Sequence, residues 1–184
     1  AMDQVFAPWR IEWVEREGEG GDGCVFCDLP AADADRENRI VARSEHAFVL
    51  LNNYPYNPGH AMVIPYVHEG DYAALDDEVL ADHARLTQLT IRALRAALDP
   101  DGLNAGLNLG GPAAGGSIAD HLHTHVVPRW EGDTNFMPVV ADTTVIVEAL
   151  DDTYERLHAA FAALDGATAD GEDRAVRFDD ASAT

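Results

Sequence analysis

The feature that most constrains this chain is a change of hydrophobic period. "RIVARS" (39–44), "AFVLLN" (47–52) and "AMVIPY" (61–66) have strand composition and are broken by the turn-rich "NYPYNPGH" (53–60). From Asp76 to Leu98 the pattern changes. Val79, Leu80, His83, Leu86, Thr90, Leu94 and Leu98 recur at spacings of three and four, which describes an amphipathic helix. Asp76 or Asp77 can cap its start, and "DPDG" (99–102) stops it. "GLNLG" (106–110) then reads as a short strand entering a Gly-rich loop, and "TTVIVEAL" (143–150) as a last strand or the approach to a helix ending near Leu164. The fold class expected is α+β: an antiparallel sheet with one long helix and a C-terminal helix. "CVFC" after the linker "EGEGGDG" (17–23) reads as leading into a polar connection to about Asn38.

At 184 residues with 47% apolar content, one globular domain is expected over 2–164. The stretch 165–184 carries six acids against two arginines and reads as a frayed acidic tail. Ala1 ahead of Met2 reads as a residue left by cloning. No apolar run approaches the roughly 18 residues of a membrane helix, and the N-terminus has no secretory pattern, so a cytoplasmic location is expected. The formal net charge is −21, with no lysine at all. Such a surface is unsuited to nucleic acid, which needs basic stripes. It suits molar salt, where the Debye length is about 3 Å and acidic side chains hold water and ions, so a halophile is expected.

The chemistry concentrates in "IADHLHTHVVPRW" (118–130). Alternate strand residues share a face, which puts His121, His123 and His125 together and turns Leu122, Thr124 and Val126 to the other side. Three unpaired buried imidazoles would be costly, so the histidine face should meet a ligand, a metal or water. Two chemistries fit: a zinc hydrolase with the triad as metal ligands, or a histidine nucleophile toward phosphorus. The loop "NLGGPAAGGS" (108–117) favours phosphorus, because its four glycines allow backbone N–H groups close to an anion.

"HLHTHVV" resembles the histidine triad (HIT) pattern, except that Thr124 takes a position usually apolar. The resemblance runs from about Val5 to about Leu164, through "FVLLNNYPYNPGHAMVIPYVH" and the loop above. "APWR", "LNNYPYNPGH" and "HLHTHVVPRWEGDTNFMPV" look most like the branch that cleaves dinucleoside polyphosphates. The resemblance implies that His123 is the nucleophile, forming a nucleotidyl-histidine intermediate, and that His125 contacts the phosphoryl oxygens. It implies that Ser117 and the N–H groups of Gly115 and Gly116 cradle phosphate. Asn108 matches a residue beside the scissile phosphate, and Asn52 one near the ribose. Phe6, Trp9, Phe48 and Leu50 could line a base pocket or simply belong to the core. His60 is expected to be structural, and His83 an ordinary helix residue. A protonated His125 and the loop amides would supply countercharge. Arg129 could contribute or form a surface ion pair. Mg²⁺ could accompany the substrate phosphates, and a homodimer is usual in the family.

Cys24 and Cys27 supply two of the roughly four ligands zinc needs. Some HIT proteins complete such a site with residues matching His68 and His121, so the resemblance implies structural zinc on Cys24, Cys27, His68 and His121, with His46 as an alternative ligand. Hydrolysis and phosphorolysis are both left open, as is a nucleotide-binding module with little turnover.

Overall fold

A computed structural model of the chain describes residues 23–114, 118–133 and 149–178. In chain order these form α1 (Val25–Ala31), β1 (Ile40–Ser44), β2 (Ala47–Leu51), β3 (Ala61–Pro65), α2 (Asp77–Leu98), β4 (Gly102–Leu107), β5 (Thr124–Arg129), α3 (Leu150–Ala162) and β6 (Val176–Phe178). The strands make one sheet in the order β4-β5-β3-β2-β1-β6. All neighbours are antiparallel except β6, which runs parallel to β1. The expected α+β architecture is therefore present, as a mixed six-stranded sheet.

Alternation divides the sheet into two faces. Val49, Leu51, Val63 and Val126 pack against Leu86 and Leu94 of α2 and Leu157 and Phe161 of α3. Each fully buried side chain of this kind contributes about 1.5–3 kcal/mol. The opposite face, with Ile40, Phe48, Leu50, Met62 and Ile64, is covered by Phe26 of α1 and by Ile118. Helix α2 carries Asp77 and Glu78 in its first turn and Arg95 in its last, both favourable to the helix dipole. Asp76 occupies its N-cap position, although its side chain makes no capping hydrogen bond. Asp99 closes the helix in a left-handed conformation at φ 47°, its N–H donating to the Arg95 carbonyl.

Two elements differ from the sequence expectation. The segment after Cys24 is a helix of seven residues, α1, rather than a polar connection. It is too short to show a helical period, and Pro30 within it reads as a breaker. The tail expected to fray from Asp165 instead returns to the sheet as β6. Val176 and Phe178 are buried there, and the Ala175 N–H donates to Asp35 Oδ2 at 2.9 Å. Asp35 in turn accepts from Arg43 Nη2 of β1 at 2.5 Å. The acids around β6 concealed a buried-exposed-buried strand of only three residues. The domain therefore extends at least to Phe178, and residues 179–184 lie outside the described part.

Candidate active site and metal cluster

β5 lies between β3 and β4, with His125 paired to Met62 on one side and Gly106 on the other. The regular strand begins only at Thr124, so His121 and His123 stand in the segment leading into it. That segment is held from outside, since the Leu122 N–H donates to the Glu69 carbonyl at 2.7 Å. Gly70 makes the approach feasible, because a Cβ there would sit 2.3 Å from the Ala119 carbonyl oxygen. The same approach brings His68 to His121, with ring centroids 5.1 Å apart.

Cys24, Cys27, His68 and His121 converge, with one ligand atom from each lying within 4.8 Å of all the others. Cys24 Sγ is 3.3 Å from His121 Nδ1, Cys27 Sγ is 3.3 Å from His68 Nδ1, and Cys27 Sγ is 3.6 Å from His121 Nδ1. The edges of a zinc tetrahedron with ordinary Zn–S and Zn–N bonds are about 3.3–3.8 Å. Outer contacts also suit a cation. His121 Nε2 donates to the Pro65 carbonyl at 2.8 Å, which leaves the Nδ1 lone pair aimed at the sulfurs, and His68 Nε2 lies 3.7 Å from Asp120 Oδ2. Burial pushes His121 below its ordinary pKa, toward the neutral ring that a metal ligand needs. Partial burial and then the Cys24 thiol push Cys27 up, so a thiolate there calls for a cation. The donor set fits a Cys₂His₂ metal site. Cys24 is the N-cap of α1, and the sulfurs of both cysteines face histidines.

Two residues on, the hydrogen bonding reverses. His123 Nδ1 donates to the His121 carbonyl at 2.9 Å, so the lone pair of the neutral ring is on Nε2. Burial pushes His123 below its ordinary pKa, and that hydrogen bond only partly offsets it. The His125 ring stands nearly perpendicular to that of His123, centroids 5.0 Å apart. His125 Nδ1 is 2.9 Å from His60 Nε2. The Tyr56 N–H donates to His60 Nδ1 at 3.2 Å, and Asn52 Nδ2 lies 3.4 Å from the same atom. A backbone N–H can only donate, so the His60 proton is on Nε2 and is given to His125 Nδ1. His125 is therefore a neutral ring with its own proton on Nε2. Buried His60 is held in place by Gly59, where φ is +78° and a Cβ would meet Leu98 Cδ1 at 2.3 Å.

A family model described as the HIT domain matches residues 34–132. This chain belongs to the HIT family. It is 44% identical over 168 residues to a protein of Mycobacterium tuberculosis named AP-4-A phosphorylase, covering 88% of this chain and 85% of that one. Among solved structures, a zinc-bound histidine triad protein from Mycobacterium smegmatis superposes with a TM-score of 0.60 at 30% identity, covering 78% of this chain and 96% of that one. A histidine triad nucleotide-binding protein from Sulfolobus tokodaii gives a TM-score of 0.57 at 31% identity, covering 75% of this chain and 89% of that one.

His123, His125 and the four metal-type ligands are brought together as described. Asn108 follows directly on the Leu107–Thr124 pair and so stands at the end of the sheet where His123 lies. Gly115, Gly116, Ser117, Phe6 and Trp9 lie outside the described residues. The other expected residues make definite contacts. Asn52 Oδ1 accepts from the Tyr54 N–H while its amide nitrogen meets His60, so in this structure its side chain serves the triad's support. Arg129 is in an ion pair, its Nε 2.6 Å from Asp133 Oδ2 and its Nη2 2.7 Å from Asp133 Oδ1, which holds that carboxyl well below the usual range. The His60 contact suits a neutral His125, because two N–H groups would face each other if that ring were also protonated on Nδ1. Phe48 and Leu50 are buried in the apolar cluster of the site face. Thr124, the departure from the HIT pattern, has its Oγ1 3.2 Å from Nε2 of buried His83, which also lies 3.3 Å from the Val63 carbonyl. The hydroxyl is thus satisfied on the helix side of the sheet. His60, expected to be structural, is buried and reaches His125 Nδ1 through its own Nε2.

Proposed function

We propose that this HIT protein cleaves dinucleoside polyphosphates, such as diadenosine tetraphosphate, at the α-phosphorus through a nucleotidyl-histidine on His123. The supporting observation is the His123 Nδ1 to His121 carbonyl bond, which presents the Nε2 lone pair as a nucleophile. Nε2 forms a bond to the α-phosphorus as the bridging P–O bond opposite it breaks, and the leaving nucleoside polyphosphate departs with that electron pair. Water or inorganic phosphate then attacks the same phosphorus and frees His123. The relative named AP-4-A phosphorylase favours phosphate as the second nucleophile.

The remaining residues bind and orient. The Nε2–H of His125, set by His60, donates to an equatorial oxygen where charge gathers. Gly115, Gly116 and Ser117 would cradle the same group with Asn108. Gly106, next to His125, leaves room there, since a Cβ at that position would meet nothing within 4 Å. Zinc held by Cys24, Cys27, His68 and His121 would fix the segment that carries His123 and take no part in bond making. A zinc hydrolase using all three triad histidines is less well supported, because the Nδ1 lone pair of His121 faces the two cysteines and that of His125 faces His60, away from a common centre.

The test is incubation of the metal-loaded protein with diadenosine tetraphosphate, with and without inorganic phosphate, and separation of the products. ADP plus ATP appearing only with phosphate is the expected result. AMP plus ATP without phosphate means hydrolysis through the same intermediate. Two ADP without phosphate, or no cleavage despite AMP binding, overturns the reading.

A further inference from the structure

Between the two cysteines in sequence lies Phe26, buried under the site face of the sheet. Its ring meets two members of the triad. It is edge-on to His121, centroids 5.6 Å apart at 86°, and tilted against His123, centroids 5.2 Å apart at 56°. His123 is therefore gripped by the Phe26 ring, by the ring of His125 and by the hydrogen bond from Nδ1 to the His121 carbonyl. The first of these contacts comes from a helix of seven residues with Pro30 inside it. Such a helix is marginal by itself, so the position of Phe26 depends on its packing against the site face and on what holds its flanking cysteines.

We propose that Phe26 is the positioning residue through which the metal-bound C-V-F-C segment sets the ring of His123 for attack. The inference rests on the function proposed above for its kinetic readout but not for its spectroscopic one. With the segment clamped at Cys24 and Cys27, the phenyl ring limits rotation of the imidazole about its side-chain bonds. With the metal gone or the phenyl removed, the ring can turn and the Nδ1 proton is shared between alternatives. A misplacement of about 1 Å at a nucleophile costs on the order of 10²-fold in rate.

The experiment compares the metal-loaded wild-type protein with Phe26→Ala and Phe26→Leu, each also after zinc removal by a chelator. Phe26→Leu keeps an apolar side chain if the alanine variant fails to fold. Three quantities are read: zinc per chain, kcat and KM for diadenosine tetraphosphate, and the ring ¹⁵N shifts of His123 in histidine-labelled protein. Expected are full zinc occupancy in both variants, kcat lowered by about 10²-fold in Phe26→Ala and less in Phe26→Leu with KM within about 2-fold, and His123 shifts moving from one tautomer toward a mixture. Zinc removal should move the wild-type shifts the same way and add little to Phe26→Ala, because both changes break one linkage. Unchanged His123 shifts in the variants overturn the inference. So does a raised KM with unchanged kcat, which would make Phe26 a wall of the binding site only. So does a zinc-removal effect that is as large in Phe26→Ala as in wild type. If the wild-type protein does not cleave the substrate, the proposed function has failed and the ring shifts alone decide the role of Phe26.

Discussion

His121 and His123 are the same residue type two positions apart on one face, and they do opposite things. His121 gives its Nε2 proton to the Pro65 carbonyl and aims Nδ1 at two sulfurs. His123 gives its Nδ1 proton to the His121 carbonyl and keeps its lone pair on Nε2. Both are buried and both are pushed toward neutrality by that burial. Neither residue type nor charge state separates them. The carbonyl that each ring finds does, because it chooses which nitrogen is nucleophilic or metal-binding.

The sharpest way to break this contrast is to remove each ring in turn. His123→Ala should lower kcat by at least about 10⁴-fold while zinc per chain stays at the wild-type level. His121→Ala should do the reverse, losing zinc while keeping measurable turnover. Forfeiting a metal present at about 1,000 times its Kd costs about 4 kcal/mol, or roughly 8–16 °C in Tm for a domain of this size. Loss of zinc from His123→Ala, seen by metal analysis, would collapse the division of labour.

A smaller effect tests the support of the third ring. His60→Ala should reduce kcat about 10- to 100-fold, as loss of an outer hydrogen-bond partner commonly does, with zinc content unaffected. His60→Gln, whose amide can still donate, should recover part of it. Equal activity in the two variants would show that the proton given to His125 is immaterial.

The smallest effect is in pH. His83, His121 and His123 all have pKa values lowered from 6.5, chiefly by burial. On acidification the unfolded chain takes up protons at these sites before the folded one does, so stability rises with pH there. Their contribution is complete above about 6.5 and is lost as pH falls from there through the lowered native values. Thermal melts of the zinc-stripped protein should show Tm dropping across that window, without metal release as a second cause. A flat Tm would mean that these rings are not neutral in the fold.

Much of this was legible from residue order alone. The period change at Asp76 marks α2, and the runs of β-branched and apolar residues mark β1, β2 and β3, because long patterns repeat the same burial demand many times. α1 and β6 were not legible: seven and three residues are too few to show a period, and Pro30 and the surrounding acids pointed the other way. The partnership of His60 with His125 spans 65 positions, and that of Phe26 with His123 joins segments with no shared motif. No local pattern encodes either.

The sequence by itself determined that three imidazoles alternate along one short segment, that two thiols are separated by two residues, and that glycines allow close backbone approach. Those follow from backbone geometry and residue chemistry. Which imidazole meets sulfur and which keeps its lone pair on Nε2 was decided only in three dimensions. The Pro65 carbonyl, the His60 ring and the Phe26 ring come from separate stretches of chain, and each acts through a contact that exists only when the sheet and α1 are packed together.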